Sequence, residues 1–149
     1  MSEDPNDDTR RRITKGLGLH DFDNDGRMDI VFVNGDPRGG GYATVFRNAV
    51  ENSNHWVKLQ VTWPENKFGL ESKVTVFKSG TDELLGYDEV RTDFCYRSKR
   101  SPVLHFGLGS VQQVDISVVK RDGRRHRFEG LSAGQIHTLE INVAENLSP

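Results

Sequence analysis

Nine consecutive residues hold the clearest chemistry in the chain: Asp21-Phe22-Asp23-Asn24-Asp25-Gly26-Arg27-Met28-Asp29. Carboxylates stand at loop positions 1, 3, 5 and 9, with glycine at position 6. Calcium is a hard cation that takes about six to eight oxygen ligands. This spacing lets a tight turn aim Asp21, Asp23 and Asp25 inward, and Gly26 permits the sharp bend. The carbonyl of Arg27 then supplies an oxygen and Asp29 closes the shell. Four carboxylates crowded this closely repel one another unless a cation lies among them. The expected ligands are Asp21, Asp23, Asp25 and Asp29 through their side chains and Arg27 through its carbonyl. The expected ion is Ca²⁺ rather than Mg²⁺, which keeps more water and takes fewer protein oxygens. The plainer alternative is an acidic surface turn around an Asp-Gly hairpin. The loop is not an EF-hand, because position 12 is Phe32 where that motif needs a bidentate glutamate. Its downstream flank, Met28 to Val33, reads as strand, so the loop joins two strands.

A second constellation is basic. Residues 97–127 carry eight cations against Asp115 and Asp122. Within it, Arg121, Arg124, Arg125 and Arg127 are candidates for binding an anion such as a sulfated glycan, an acidic protein or a lipid head group. The plainer reading, which the residues favour, is a solvated hairpin whose edge charges prevent aggregation. Five histidines are scattered without zinc-site spacing. His105 reads as a packing residue. The single cysteine, Cys95, lies in an apolar context that favours burial over nucleophilic work. No Gly-x-Ser-x-Gly elbow or P-loop is present, and Gly39-Gly40-Gly41 reads as a turn rather than a phosphate cradle. Asp88 and Glu89 are adjacent, so on a strand they face opposite ways and make a poor acid–base pair. Trp56 and Trp63 also face opposite ways. One belongs in the core, and the other is a packing residue or a sugar-stacking platform. No catalytic residue is expected.

These groups need elements to position them. The chain has 149 residues, 34% hydrophobic and 28% charged, enough for one domain core. A net charge of −2 argues against a general nucleic-acid binder. No stretch approaches the roughly 20 apolar residues of a membrane span, and no secretory leader is expected in this chain. Apolar residues come in short runs between Gly, Asp, Asn and Pro, without a helical period, which predicts an all-β protein. Val57, Leu59, Val61 and Trp63 alternate with polar residues. So do Val114, Ile116 and Val118, and then His137, Leu139, Ile141 and Val143. Val74 and Val76 alternate less cleanly. Met28–Val33 and Ala43–Arg47 are shorter runs. Asp122-Gly123 marks a hairpin and Ser79-Gly80 a turn. Charge also divides the chain. Residues 1–53 hold 10 acids and 7 bases, while the remainder holds 12 acids and 13 bases.

In its strand–loop–strand context, the Asp-x-Asp-x-Asp-Gly-x-x-Asp run resembles an FG-GAP (VCBS-type) calcium loop, as do Gly16-Leu17-Gly18-Leu19-His20 before it and Asn34 after it. Asn54-His55-Trp56-Val57-Lys58-Leu59 resembles the opening of an ASPIC and UnbV domain. Phe68-Gly69, Lys73-Val74, Tyr96-Arg97-Ser98, Pro102 to Gly109 (Pro-Val-Leu-His-Phe-Gly-Leu-Gly), Val114-Asp115, Asp122-Gly123 and Gly134-Gln135 follow in the order of that family. Glu71-Ser72 and Lys120-Arg121 depart from its usual Gly-Ala and Trp-Pro. The polar start reads as a flexible arm at 1–15; the resemblance implies a calcium-binding segment of a propeller-like repeat at 16–53 and a β domain at 54–143, which leaves a tail at 144–149. The expected fold is all-β: a calcium-loop hairpin followed by a sandwich or barrel of about seven or eight strands. The implied function is a secreted, calcium-binding recognition or adhesion module without catalysis, with a protein or glycan partner. The alternative is an enzyme or biosynthetic accessory protein using a pocket in the β domain.

Overall fold

The computed structural model describes residues 13–35, 41–95 and 98–141. Residues 1–12 of the arm expected at 1–15, the glycine-rich turn at 36–40, Val143, the tail and the side chain of Cys95 lie outside the described residues, while Ile13–Lys15 of that arm belong to the first strand. Twelve strands are described: β1(Ile13–His20), β2(Asp29–Gly35), β3(Gly41–Phe46), β4(His55–Thr62), β5(Lys73–Lys78), β6(Leu84–Glu89), β7(Asp93–Cys95), β8(Ser98–Lys99), β9(Leu104–Gly109), β10(Gln113–Val119), β11(Arg125–Ser132) and β12(Gln135–Glu140). Among the described residues there is no helix, and the protein is all-β. The chain separates into two units, Met1–Val50 with Asp93–Arg100, and Glu51–Thr92 with Ser101–Pro149.

The second unit is a sandwich of seven strands in two sheets, ordered β11-β10-β5-β6 and β12-β4-β9. The two-residue period places Val57, Leu59 and Val61 of β4 on one face, and all three are fully buried with Trp63 just beyond them. Val74 and Val76 of β5 and Val114, Ile116 and Val118 of β10 face them from the other sheet. Each such side chain contributes about 1.5–3 kcal/mol of burial. Buried Trp63 donates its Nε1–H to Ser72 Oγ at 2.8 Å, which satisfies the indole's one polar atom. β12 runs parallel to β4, with Leu139 opposite Val61. At Asp122-Gly123 the chain turns from β10 into β11, with Lys120 N–H donating to Arg124 O at 2.8 Å.

The first unit holds an antiparallel sheet in the order β1-β2-β3 and a short pairing of β7 with β8. Register runs Leu19–Ile30–Phe46, Gly18–Val31–Val45 and Leu17–Phe32–Thr44 across the three strands. The acidic loop fills the connection between β1 and β2.

Candidate metal centre

The loop begins where β1 ends at His20 and closes where β2 starts at Asp29, so strand pairing fixes both ends. His20 and Asp29 are directly opposite. Asp21 and Asp29 are buried, whereas Asp23 faces outward. Asp21 turns its carboxylate back under the loop. Its Oδ1 accepts from Asp25 N–H at 3.0 Å and its Oδ2 from Gly26 N–H at 2.8 Å. Gly26 reaches this position with φ of 87° and Asn24 with φ of 58°, backbone conformations that glycine and asparagine tolerate best. Asp29 Oδ2 accepts from Phe22 N–H at 3.0 Å, and Asp29 Oδ1 accepts from Asn48 N–H at 2.8 Å. These two backbone donors, Asn48 first, hold the Asp29 carboxyl below its usual range.

One carboxylate oxygen from each of Asp21, Asp23 and Asp29 lies within 4.8 Å of the others. These three form a group that could hold a metal ion. Asp25 is turned elsewhere. Its Oδ1 accepts from Arg27 N–H at 2.9 Å, and its Oδ2 is paired with the Arg27 guanidinium and with Arg47 Nη2 at 3.4 Å. Arg27 also donates through Nε to Asn48 O at 2.8 Å. Arg47 Nε reaches Asp23 Oδ2 at 2.6 Å. Burial pushes the Asp23 carboxyl up, but Arg47 and the Asp25 N–H outweigh it and leave the group below its ordinary value.

Arg47 and Asn48 were not marked by the sequence pattern. The register finds them: Ile30 pairs with Phe46, so continuing that antiparallel ladder by one residue sets Arg47 beside Asp29. The signal exists only once the β2–β3 pairing is known.

The basic residues of the second unit are mostly matched to acids. Arg121 Nη1 contacts Glu71 at 3.1 Å, and Arg124 Nη2 contacts Asp122 at 2.7 Å and Glu65 at 3.3 Å. Arg127 contacts Asp115 at 3.2 Å and Glu129 at 3.1 Å. Among the described residues, Arg125 makes no ion pair. Trp63 is the core tryptophan. Trp56 is half-buried beside His105, ring centroids 5.8 Å apart.

A third buried carboxylate, Asp115, is given no chemistry by the sequence pattern. It accepts from Ser79 Oγ at 2.9 Å, Gly80 N–H at 3.1 Å, Gly130 N–H at 2.9 Å and Arg127. The Gly130 and Gly80 amides are the main reason its pKa falls to about 2. It ties the turn after β5 to the irregular stretch of β11, where the β10–β11 register slips.

A family model described as ASPIC and UnbV matches residues 62–146, more than half of the chain. Cartilage acidic protein 1 of Mus musculus is 28% identical over 132 residues, covering 87% of this chain and 20% of that protein. Cartilage acidic protein 1 of Homo sapiens is 27% identical over 132 residues, covering 87% of this chain and 19% of that protein. The chain thus spans about a fifth of the length of these curated relatives. A match over 87% of 149 residues is long enough that it must take in the Asp21–Asp29 loop.

Proposed function

Because the chain belongs to the ASPIC and UnbV family, we propose that it is a non-catalytic, extracellular recognition or adhesion module whose first unit binds calcium. The observation that carries the metal reading is the convergence of Asp21, Asp23 and Asp29 oxygens within 4.8 Å of one another. Two ligands each about 2.4 Å from one ion stand at most about 4.8 Å apart, so the spacing suits calcium. Charge agrees. Asp21, Asp23, Asp25 and Asp29 face Arg27 and Arg47, leaving two negative charges for a divalent ion to neutralise. The carbonyl of Arg27 completes the proposed set, and Asp25, which Arg27 and Arg47 hold, joins it only where a bound ion replaces those contacts. Bound calcium would add the charge that lets this acidic loop hold a single conformation.

The sheet β1-β2-β3 supports reading this unit as an FG-GAP-type repeat that stacks against like repeats. By register, Leu17, Leu19, Ile30, Phe32, Tyr42 and Phe46 share one face, and Gly16, Gly18, Val31, Val33, Ala43 and Val45 share the other. A sheet that is apolar on both faces suits a layer covered on both sides. The extracellular reading is supported by similarity to a protein named for cartilage. A catalytic reading has less support, since the buried carboxylate of the β domain, Asp115, is already committed to its donors.

The test is a calcium titration followed by calorimetry. Ligand at about a hundred times its Kd adds about 2.7 kcal/mol, so the midpoint of the first unit is expected to rise by several degrees. Asp23→Ala removes a converging oxygen without touching a backbone contact of Asp21 or Asp29, and it should abolish the rise. A midpoint unchanged by calcium in the unsubstituted protein would overturn the metal reading.

A further inference from the structure

We infer that the outward face of the sheet β11-β10-β5-β6 is a binding surface for a sulfated glycan, centred on Tyr87 and Val119. The core side of this sheet is taken by Val74, Val76, Ile116 and Val118. The alternate residues therefore face outward. Register sets Arg127, Ser117, Thr75 and Tyr87 in one row across the four strands, about 14 Å over three interstrand steps. Tyr87 is 57% exposed. A pyranose ring can stack on such an aromatic face, and the Thr75 and Ser117 hydroxyls alongside suit its polar edge. Arg127 closes the far end of the row. It is fixed there by Asp115 and Glu129 and lies over the Phe77 ring, 6.0 Å from the centroid.

The next row supplies the charge. It runs Arg125, Val119, Lys73 and Glu89. Among the described residues Arg125 and Lys73 make no ion pair, unlike Arg121, Arg124 and Lys120 at the adjoining hairpin, which are matched to Glu71, Asp122 and Glu65. Arg125 and Lys73 flank the small side chain of Val119 at about 10 Å, two interstrand steps. A sulfate over Val119 therefore meets two uncommitted cations, while Glu89 beyond Lys73 repels it from the sheet edge. Stacking platform, hydroxyl row and paired cations together complement a ring that carries hydroxyls and sulfate. The inference stands apart from the ion loop.

The experiment measures binding of a heparin octasaccharide by calorimetry in chelating buffer, so that the calcium reading has no bearing on the result. The comparison probes are the same octasaccharide after desulfation and a single-stranded oligonucleotide. The octasaccharide is expected to bind and both comparison probes to bind at least about tenfold more weakly. Tyr87→Ala and Arg125→Gln should each weaken binding about fivefold or more, whereas Arg124→Gln, which removes the same charge from a paired residue, should stay within about twofold. All three positions lie on the surface, and unchanged thermal midpoints would show that the variants fold. Absence of binding, equal binding of the oligonucleotide, equal losses for Arg124→Gln and Arg125→Gln, or an unaffected Tyr87→Ala would each overturn the inference.

Discussion

Among the described residues, the fifteen that form the hydrophobic core all lie in the unit Glu51–Thr92 with Ser101–Pro149. Among the described residues of the other unit, the buried side chains are two carboxylates, Asp21 and Asp29. One unit is built by interdigitating apolar faces, which attract without direction and at any pH. The other is ordered around its loop by directional bonds from backbone amides to carboxylates, flanked by two arginines. An apolar core gives a fixed platform, and a carboxylate centre gives a part whose order depends on protons. Asp115 links the two cases, since it repeats the carboxylate-to-amide device inside the unit that has a core.

The largest expected effect tests that division directly. Ile116 is fully buried between the sheets, so Ile116→Ala should cost about 3–4 kcal/mol, the loss of burial plus a cavity. Ile30, at 37% exposure on the first unit's sheet, should lose less than about 1 kcal/mol on the same change. Urea unfolding read by tryptophan fluorescence follows the cored unit, because Trp56 and Trp63 both lie in it. Amide exchange follows the other. A cost below about 1.5 kcal/mol at Ile116, or one as large at Ile30, would break the comparison.

A smaller effect is expected at Asp115. Asp115→Ala leaves the Gly80 and Gly130 amides without their acceptor and should cost about 2–3 kcal/mol. The pH dependence has a definite sign. The folded pKa, about 2, lies below the ordinary 3.8. The stabilisation is therefore complete above about pH 4 and lost as pH falls toward 2. Tryptophan-detected stability of the unsubstituted protein should fall more steeply across that window than that of Asp115→Asn, which has no carboxylate to protonate. Parallel curves would show that Asp115 gives the cored unit no acid sensitivity. The Asp29 carboxyl, also lowered, adds acid sensitivity of the same sign to the first unit.

What the sequence made legible follows the range of the physics. Period-two alternation is local, so Val57, Leu59, Val61 and Trp63 could be assigned to one face, and all four are buried. Asp122-Gly123 and Ser79-Gly80 mark turns because glycine alone reaches their backbone angles cheaply, and Gly123 and Gly80 have φ of 91° and 71°. Strand partners are not local. Nothing in β4 announces that β12 lies parallel to it, nor that residues 93–100 cluster with the first unit. The site divides the same way. The acidic loop is contiguous and stood out, but Arg47 and Asn48 reach it only through the β2–β3 register. Asp115 looked like one acid in a basic stretch because its donors are up to 36 residues distant.

The smallest expected effect comes from making one substitution in both environments. Val→Thr keeps the shape and adds a hydroxyl. At Val76, fully buried, the hydroxyl must leave water, and the cost should be about 1–3 kcal/mol. At Val45, 57% exposed on the small-residue face of the first sheet, the hydroxyl stays hydrated and the cost should be below about 0.5 kcal/mol. Calorimetry of each variant at two protein concentrations completes the test. If Val45→Thr costs as much as Val76→Thr, the face is covered in solution and the contrast between the units fails for that sheet. If the cost also grows with concentration, the cover is a second copy, because only association makes apparent stability depend on concentration. A small, concentration-independent cost would sharpen the comparison: the first unit would then present a sheet that neither its own chain nor a second copy covers, leaving the stacking proposed for that sheet to a different partner.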